Sequence, residues 1–438
     1  MTRLAQLCLL SSLLVLPGVA SAQASQPPKL APQRAEGAGG IEIYVITFGP
    51  GDHPFSKFGH NAVLVLDHDR RTDAVYNFGT FSAASPTLIS DFLQGRLLYW
   101  VSVGSWGPTA AAYAANNRSI SAQKLALSSA ETQRLVARLA HSALPENRYY
   151  RYDYYLDNCS TKVRDVLDEV TGGSLAGTQQ LPAKQSWREH TSRLTRDSLG
   201  LNLGLNLLLA QGVDVPRSRW EEMFLPSALA DTLATTRKAD GSPLVAEQVL
   251  WHRAERPPLA ESPPRHLWLP LVGLALGAGL VGLARVARRS RPTLAVFTGV
   301  VALLGTLAGA LGCVFAFFWL ATDHDFAHAN ENLFALPPWA LLLPVAAIGA
   351  FVKPRFWIRR VQRLALLLAA GTGLGFAVKV LPWFRQDNWI FLGFSLGLWC
   401  LLALALRQAY LPALPRSARA RAPGAAKLTR NPIEPGAY

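Results

Sequence analysis

Cys159 is the residue of this chain best suited to covalent chemistry. It lies in the segment Tyr-Asp-Tyr-Tyr-Leu-Asp-Asn-Cys-Ser-Thr-Lys-Val-Arg-Asp, where the pattern predicts the first turn of a helix. Free N–H groups and the helix dipole at a helix N-terminus lower the pKa of a thiol, and they can also bind an oxyanion. Cys159 is therefore a candidate nucleophile, and a buried thiol that acts as a small apolar side chain is the alternative.

No disulfide partner is expected for Cys159. Cys8 lies in the apolar run of a predicted signal peptide, and Cys313 and Cys400 lie in apolar segments that predict membrane helices. A lone thiol in an exported domain faces an oxidising compartment, where cysteines are usually paired. This location favours a catalytic function for Cys159 over a structural one.

A cysteine nucleophile needs a base, and His60 is the histidine best placed to supply one. It lies at the start of residues 59–66, whose β-branched and aliphatic side chains predict a strand. Because side chains alternate along a strand, His60 shares an apolar face with Ala62 and Leu64. A strand histidine facing a helix-terminal cysteine is the arrangement of papain-like hydrolases, and a buried histidine with a purely structural function is the alternative.

The N-terminal residues predict export. Thr2 and Arg3 precede an apolar run, and Ala20-Ser21-Ala22 is a small-x-small cleavage sequence, so residues 1–22 are predicted to be a secretory signal peptide. Composition divides the rest of the chain into a flexible leader, a soluble domain, a Pro-rich linker, a membrane domain and a basic tail. These are predicted at residues 23–40, 41–255, 256–266, 267–409 and 410–438.

The predicted membrane domain contains five apolar segments. Each is long enough, at ~1.5 Å per residue, to cross a hydrocarbon core of ~30 Å. They lie at about residues 267–286, 294–320, 333–352, 364–381 and 389–406. The third contains Pro337, Pro338 and Pro344 and is the least regular of the five. The sequence therefore predicts about five transmembrane helices.

The net charge of +14 indicates topology. Arg and Lys are concentrated after the first, third and fifth apolar segments, whereas residues 321–332 and 382–388 contain only Arg385 as a cation. Because cationic loops stay in the cytoplasm, the soluble domain is predicted on the outer side of a bacterial inner membrane, in the periplasm. The signal peptide indicates the same orientation. The charge is therefore interpreted as a topology signal, and no nucleic-acid partner is expected.

Several short motifs resemble one bacterial family. They are Phe58-Gly59-His60, Tyr76-Asn77-Phe78-Gly79-Thr80-Phe81, Asn158-Cys159-Ser160-Thr161 with Arg164-Asp165, Trp220-Glu221-Glu222-Met223-Phe224-Leu225-Pro226, and the loop from Asp323-His324 to Asn330-Glu331-Asn332. The family is associated with lipoprotein N-acyltransferases and has an N-terminal periplasmic domain that was formerly of unknown function. The resemblance extends from about residue 41 to residue 345.

The order of histidine before cysteine is similar to the circularly permuted, NlpC-type branch of the papain-like superfamily, which includes lecithin–retinol acyltransferase. The resemblance implies an α+β, permuted papain-like periplasmic domain followed by an all-α membrane domain. It implies that Cys159 is the nucleophile and that His60 activates it. Asn77, on the next predicted strand, is the candidate that orients His60, and Asp67 is its competitor.

Three residues near the nucleophile are candidates for substrate binding. Tyr154 and Asn158 could shape an oxyanion pocket. Arg164 could bind a phosphate or pair with Asp168 one helical turn further on, and the ion pair is favoured.

The loop that contains His324 allows three interpretations. His324 and His328 are four residues apart and could bind zinc together with Asp323 or Asp325, but no glutamate stands where a metal-bound water would need its base. The loop is predicted at the outer membrane boundary, where His324, Asn330 and Asn332 could contact a lipid head group or dock the soluble domain. A connecting loop without such contacts is the third interpretation. Neither a metal nor a cofactor is expected.

Together these features predict a membrane-bound cysteine acyltransferase. It would move an acyl chain from a phospholipid, through a thioester on Cys159, to an amine such as the N-terminus of a diacylglyceryl lipoprotein. The expected partners are thus a phospholipid donor, a lipidated protein acceptor and the membrane. A periplasmic cysteine hydrolase of cell-wall peptides or lipid esters, and a non-enzymatic envelope protein, remain the alternatives.

Overall fold

A computed structural model describes residues 40–82 and 85–410 of the protein. The predicted signal peptide, residues 23–39 of the predicted leader and residues 411–438 of the predicted tail lie outside the described residues. The described chain forms two compact units. The first comprises residues 40–205 and 215–264, and the second comprises residues 206–214 and 265–410.

Within the described residues, the first unit is built on one antiparallel sheet of seven strands in the order β6-β4-β3-β2-β1-β5-β7. The strands are β1 (Ile41–Phe48), β2 (His60–Asp67), β3 (Thr72–Thr80), β4 (Leu98–Gly104), β5 (Ile120–Leu125), β6 (Tyr149–Arg151) and β7 (Val245–His252). The strand predicted at residues 59–66 is confirmed as β2. The N-terminal part of the protein is therefore an α/β region with one antiparallel sheet.

Helices follow or connect most of these strands. They are α1 (Leu88–Gln94), α2 (Trp106–Ala115), α3 (Ser129–Ser142), α4 (Cys159–Val170), α5 (Trp187–Leu194), α6 (Leu199–Leu208), α7 (Arg219–Glu222) and α8 (Pro226–Thr235). The helix predicted at Cys159 is confirmed as α4. The end of α6, from residue 206 onward, belongs to the second unit.

The sheet is covered by apolar side chains on both faces. On one face, Val63 and Val65 of β2 join a buried cluster that includes Val163 of α4. On the other face, Ala62 and Leu64 join a second buried cluster with side chains of α2. The alternation in β2 thus places successive residues in two different cores. The stripe of α4 that begins at Cys159 faces the first core, as the spacing predicts.

The antiparallel order brings four strand ends together. β1 ends at Phe48, opposite the start of β2 at His60. β3 ends at Thr80 and pairs there with the beginning of β4. The loops that follow β1 and β3 therefore emerge at the same end of the sheet. The N-terminus of α4 contacts this end, because Gly79 of β3 lies beside Cys159.

The second unit is helical. Its long helices are α9 (Trp268–Ala287), α10 (Arg291–Ala321), α11 (Leu342–Val352), α12 (Pro354–Ala377) and α13 (Trp389–Tyr410). Among the described residues, four helical spans are long and apolar enough to cross a membrane, and a bent pair of shorter segments raises the number to five if it counts as one span.

The bent pair corresponds to the third predicted segment, which its prolines marked as the least regular of the five. Residues 325–334 and 338–352 form helical pieces that meet at 53°. The chain breaks at Pro337 and Pro338, since proline lacks the N–H that a continuous helix requires. The loop before this break contains the Asn330-Glu331-Asn332 motif.

Candidate active site

Asn158 fixes the N-terminus of α4. Its side-chain oxygen accepts hydrogen bonds from the N–H groups of Ser160 and Thr161, at 2.8 and 3.0 Å. The hydroxyl of Thr161 accepts a bond from the N–H of Asn158, which completes a reciprocal cap. The side-chain nitrogen of Asn158 donates to the carbonyls of Tyr154 and Phe224, at 2.8 and 3.0 Å. Asn158 is therefore occupied by the fold, and no donor is left for the substrate contact predicted from the sequence.

The segment from Trp220 to Leu225 accepts hydrogen bonds from side chains in the first turns of α4. The hydroxyl of Ser160 donates to the carbonyl of Met223 at 2.7 Å, and Arg164 donates to the carbonyl of Trp220 at 2.8 Å. The Arg164 guanidinium also lies 4.1 Å from the centre of the Trp220 ring. In the sequence this segment stands out only as a motif, without a function of its own. Its backbone carbonyls hold the nucleophile turn in place.

His60 and Asn77 meet beside Cys159. The imidazole of His60 is a hydrogen-bonding partner of the Cys159 thiol. On its other side, Nε2 of His60 lies 2.7 Å from Oδ1 of Asn77. An amide oxygen only accepts hydrogen bonds, so Nε2 carries the proton and Nδ1 of a neutral ring holds the lone pair. This is the tautomer in which His60 can accept a proton from a thiol.

The imidazole ring is held in a layer of aromatic side chains. The ring centres of Phe48 and Tyr113 lie 6.1 and 6.3 Å from that of His60, and both rings are nearly parallel to it. The alternative orienting residue, Asp67, lies at the opposite end of β2, where it accepts hydrogen bonds from Arg70. The geometry therefore assigns the contact with His60 to Asn77.

Gly79 lies between the histidine and the cysteine. A Cβ atom at this position would be 3.3 Å from Cε1 of His60 and 3.5 Å from Cβ of Cys159. The φ angle of Gly79 is +136°, in a region that side chains with a Cβ rarely adopt. The pairing of β3 with β4 is irregular at this point. The glycine thus provides the space in which the two side chains meet.

The surroundings of Cys159 favour its thiolate. Burial alone would raise the pKa of the thiol, but the charge of His60 and its hydrogen bond act in the opposite direction. The backbone N–H groups of Asn61 and Ser160 also bond to the sulfur, and the net result is a lowered pKa. Where a carbonyl oxygen gains negative charge next to Cys159, the N–H of Asn61 is the nearest donor identified, because the N–H of Ser160 is bonded to the side chain of Asn158.

Tyr154 and Arg164 have different surroundings from those predicted. Tyr154 is 36% exposed, and its ring packs edge-on against Tyr155. Arg164 is buried, and its guanidinium binds the carboxylate of Asp165 at 2.7 Å. The predicted ion pair with Asp168 is therefore corrected. Asp168 instead accepts a hydrogen bond from the N–H of Leu175, beyond the end of the helix.

Asn330 and Asn332 lie in the second unit, where they bind a helix terminus. Asn330 donates to the carbonyls of Leu207 and Leu208, at 2.8 and 3.0 Å, and Asn332 donates to that of Leu207 at 3.0 Å. These carbonyls belong to the last turn of α6, where carbonyl groups have no hydrogen-bond donors within the helix. Because Leu207 and Leu208 belong to the second unit, these contacts lie within that unit, although the two leucines fall in the range predicted as soluble domain.

The network around these amides is buried and includes one ion pair. Gln386 donates to the carbonyl of Leu209 at 3.1 Å and exchanges hydrogen bonds with Glu331. Lys379 pairs with the carboxylate of Glu331. Asn388 donates to the side-chain oxygen of Asn332 at 3.0 Å. These bonds compensate for the burial of the polar groups.

His324 lies apart from these amides in the loop. It precedes a short 3-10 turn, Asp325–Ala327, and its ring is 5.4 Å from that of Phe318. His328 is bonded through Nε2 to the carbonyl of Thr322. Within the two described ranges, no three His, Cys, Asp or Glu side chains are grouped as a metal site would require.

Replacing Gly79 with alanine should separate His60 from Cys159. We expect the alkylation rate of Cys159 by iodoacetamide at pH 7 to fall about 10-fold or more, because loss of the histidine contact reduces the thiolate fraction. Gly241→Ala is the matched control, since Gly241 also has a positive φ but open space around its Cα. A Gly79→Ala protein that reacts at the wild-type rate would contradict this function of Gly79.

The reactivity of Cys159 should depend on pH in a way that reports its lowered pKa. We expect the alkylation midpoint to lie below the value of about 8.5 for a free cysteine. In His60→Ala the midpoint should move upward, because burial still raises the pKa and the histidine no longer opposes it. Mass spectrometry distinguishes Cys159 from the other thiols. The exposed His141 supplies a control, and a His141→Ala midpoint that also rises would refute the assignment to His60.

Replacing Asn332 with alanine should destabilise the second unit. The change leaves a buried side-chain amide of Asn388 without its acceptor, which costs about 1–3 kcal/mol. We expect a lower apparent unfolding temperature of the detergent-solubilised protein at a fixed heating rate. Asp387→Ala, at an exposed position in the loop that contains Gln386 and Asn388, should leave this temperature unchanged. Equal losses in both variants would contradict the importance of the network.

Comparison with known proteins identifies the N-terminal region. Residues 34–193 match the family model described as the Lnb N-terminal periplasmic domain. No curated protein and no solved structure matches the chain. The matched range contains His60, Asn77 and Cys159, whereas the motif at Trp220 and the loop at Asn330 lie beyond it. Residues 34–193 are thus similar to the Lnb N-terminal periplasmic domain family, and with four to five candidate spans among the described residues the chain is a membrane protein with a periplasmic domain.

Proposed function

We propose that this protein is a cysteine acyltransferase of the bacterial inner membrane. It takes an acyl chain from a phospholipid, holds it as a thioester on Cys159, and transfers it to an amine, the N-terminus of a diacylglyceryl lipoprotein. The observation that supports this most directly is the contact series from Cys159 through His60 to Asn77 at a helix N-terminus. In this proposal the first unit is a permuted papain-like domain.

The first step forms the thioester. The thiol of Cys159 gives its proton to Nδ1 of His60, and the thiolate attacks the carbonyl carbon of the lipid ester. The N–H group of Asn61 stabilises the negative charge on the carbonyl oxygen. The bond between the carbonyl carbon and the glycerol oxygen then breaks. The departing oxygen takes the proton from His60 and leaves as the hydroxyl group of a lysophospholipid.

The second step transfers the acyl group. A neutral amine attacks the thioester carbon and forms the new C–N bond, while the C–S bond breaks. His60 takes the proton that the nitrogen loses, and the sulfur leaves as a thiolate. Return of that proton from His60 regenerates the thiol. The lowered pKa of Cys159 favours this step, because a stable thiolate is a better leaving group.

Two further observations support a lipid substrate. The matched family indicates a periplasmic domain related to lipoprotein processing. The second unit has helices of the length and composition of membrane spans, so both a phospholipid and a lipidated protein share the membrane of the enzyme. A cysteine hydrolase would use the same first step and differ only in releasing the acyl group to water.

The proposal predicts an acyl adduct on Cys159. We expect purified protein incubated with phospholipid to gain a hydroxylamine-sensitive adduct, located on Cys159 by mass spectrometry. His60→Ala should lower its rate of formation at least 100-fold, in the range of a lost general base. Replacement of Cys313, an exposed thiol of the second unit, should have no effect.

The acceptor separates transfer from hydrolysis. A diacylglyceryl lipopeptide with a free amino terminus should discharge the adduct and become N-acylated, whereas its N-acetylated form should not. Release of free fatty acid at equal rates with both peptides would favour the hydrolase. Absence of any adduct on wild-type Cys159 would refute the thioester mechanism.

A further inference from the structure

The sheet end that holds Cys159 also bears an exposed apolar surface. Phe55 lies in the loop between β1 and β2, and Ile89, Phe92 and Leu93 lie on α1, between β3 and β4. Their side chains are 59%, 62%, 42% and 38% exposed, respectively. We call these four residues the apolar rim. Single exposed apolar side chains are ordinary, but a cluster of large ones on one opening is characteristic of a binding surface.

Aromatic contacts lead from the apolar rim into the first unit. The ring of Phe55 lies 6.4 Å from that of Phe92 and 5.7 Å from that of Phe81. Phe81 lies 5.2 Å from Tyr99, which is only 7% exposed. Tyr99 is stacked on Tyr152 with ring centres 4.0 Å apart. We call Phe81, Tyr99 and Tyr152 the aromatic path. It is a continuous series of apolar faces from the surface to the interior.

The aromatic path ends near the nucleophile. Burial raises the pKa of Tyr99 to about 12, and the negative charge of Cys159 contributes in the same direction. The pKa of Tyr152 is raised by burial and then by the charge of Cys159. The geometry agrees, because Gly79, two residues before Phe81 in the chain, lies beside Cys159. An apolar chain lying along the path would bring its polar end to Cys159.

The occupant of this surface can be argued from the chain itself. Residues 265–267 connect the first unit to α9, a candidate membrane span. The lipid bilayer is therefore an apolar phase to which the first unit is covalently tethered. A fatty acyl chain fits a path of aromatic and aliphatic faces, because it is narrow, flexible and without hydrogen-bonding groups along its length.

We propose that the apolar rim and the aromatic path form a binding site for the fatty acyl chain of a membrane phospholipid. The chain lies across the exposed side chains of the apolar rim and places its ester carbonyl beside Cys159. This inference rests on the proposed function for the chemistry that follows, but the binding itself does not require a reactive thiol.

Photocrosslinking tests the binding site without the reaction. The full-length Cys159→Ala protein is placed in phosphatidylethanolamine and phosphatidylglycerol vesicles that contain a phospholipid with a diazirine on its acyl chain. After illumination we expect labelled peptides that contain the apolar rim or Phe81 and Tyr99. Ile89→Ser and Phe92→Ser should reduce this labelling at least 5-fold, and Phe92→Leu should retain it. Unfolding temperatures check that each variant is folded.

Leu250→Ser is the matched control for the serine variants. Leu250 is 47% exposed and lies on β7, the edge strand furthest from β4 and β6. Its replacement should leave labelling unchanged. The proposal is overturned if labels occur only within residues 268–410, or if Phe92→Ser is labelled as strongly as the parent protein. It is also overturned if the rim is labelled by a diacyl lipopeptide probe but not by the phospholipid probe.

The outcome can be separated from that of the proposed function. Labelling of the rim in Cys159→Ala together with no adduct on wild-type Cys159 would retain the lipid site and refute the acyltransferase. An adduct on Cys159 together with no rim labelling would support the thioester mechanism and refute the lipid site.

Discussion

Asn158 makes four side-chain hydrogen bonds, and the position of the nucleophile depends on all of them. Two of them bind the first free N–H groups of α4, and the other two bind carbonyls of Tyr154 and Phe224. A side chain with two donors and two acceptor sites is required to satisfy this set. Serine or aspartate could cap the helix but could not donate to both carbonyls. The same residue thus orients α4 and attaches it to a segment more than 60 positions further along the chain.

The nucleophile, once positioned, is activated by neutral groups as well as by His60. The residue that orients His60 is an amide, so no carboxylate stabilises a protonated imidazole from that side. A neutral His60 with its proton on Nε2 is the form that can accept a proton from an incoming amine.

Much of this arrangement was predictable from local sequence. Cys159 and the apolar stripe behind it follow from helical periodicity, and His60 follows from a short strand pattern. The contact of His60 with Asn77 depends on the pairing of β2 with β3 and on the irregular backbone at Gly79. Periodicity in the sequence specifies neither of these features. The family was recognised from motifs, and the match confirms it over residues 34–193. The extension of the resemblance beyond residue 193, to about residue 345, stays a prediction.

Two expectations were wrong because other groups compete for the same side chain. Arg164 was expected to bind Asp168, which helical spacing brings near, but it binds Asp165 and the Trp220 carbonyl. Asn158 was expected to bind substrate, but the carbonyls of Tyr154 and Phe224 occupy its donor. The carbonyls of Trp220 and Phe224 come from a segment more than 50 residues further along the chain, which no local window contains.

The amide network of the second unit also determines when this protein can finish folding. Gln386 closes the network on the carbonyl of Leu209, which precedes it by 177 residues. A ribosome that adds ~5–20 residues per second needs about 10–35 s to synthesise that interval. During this time the end of α6 exposes carbonyls whose partners do not yet exist. The carbonyl of Leu209 must therefore wait for this partner until Gln386 has been made.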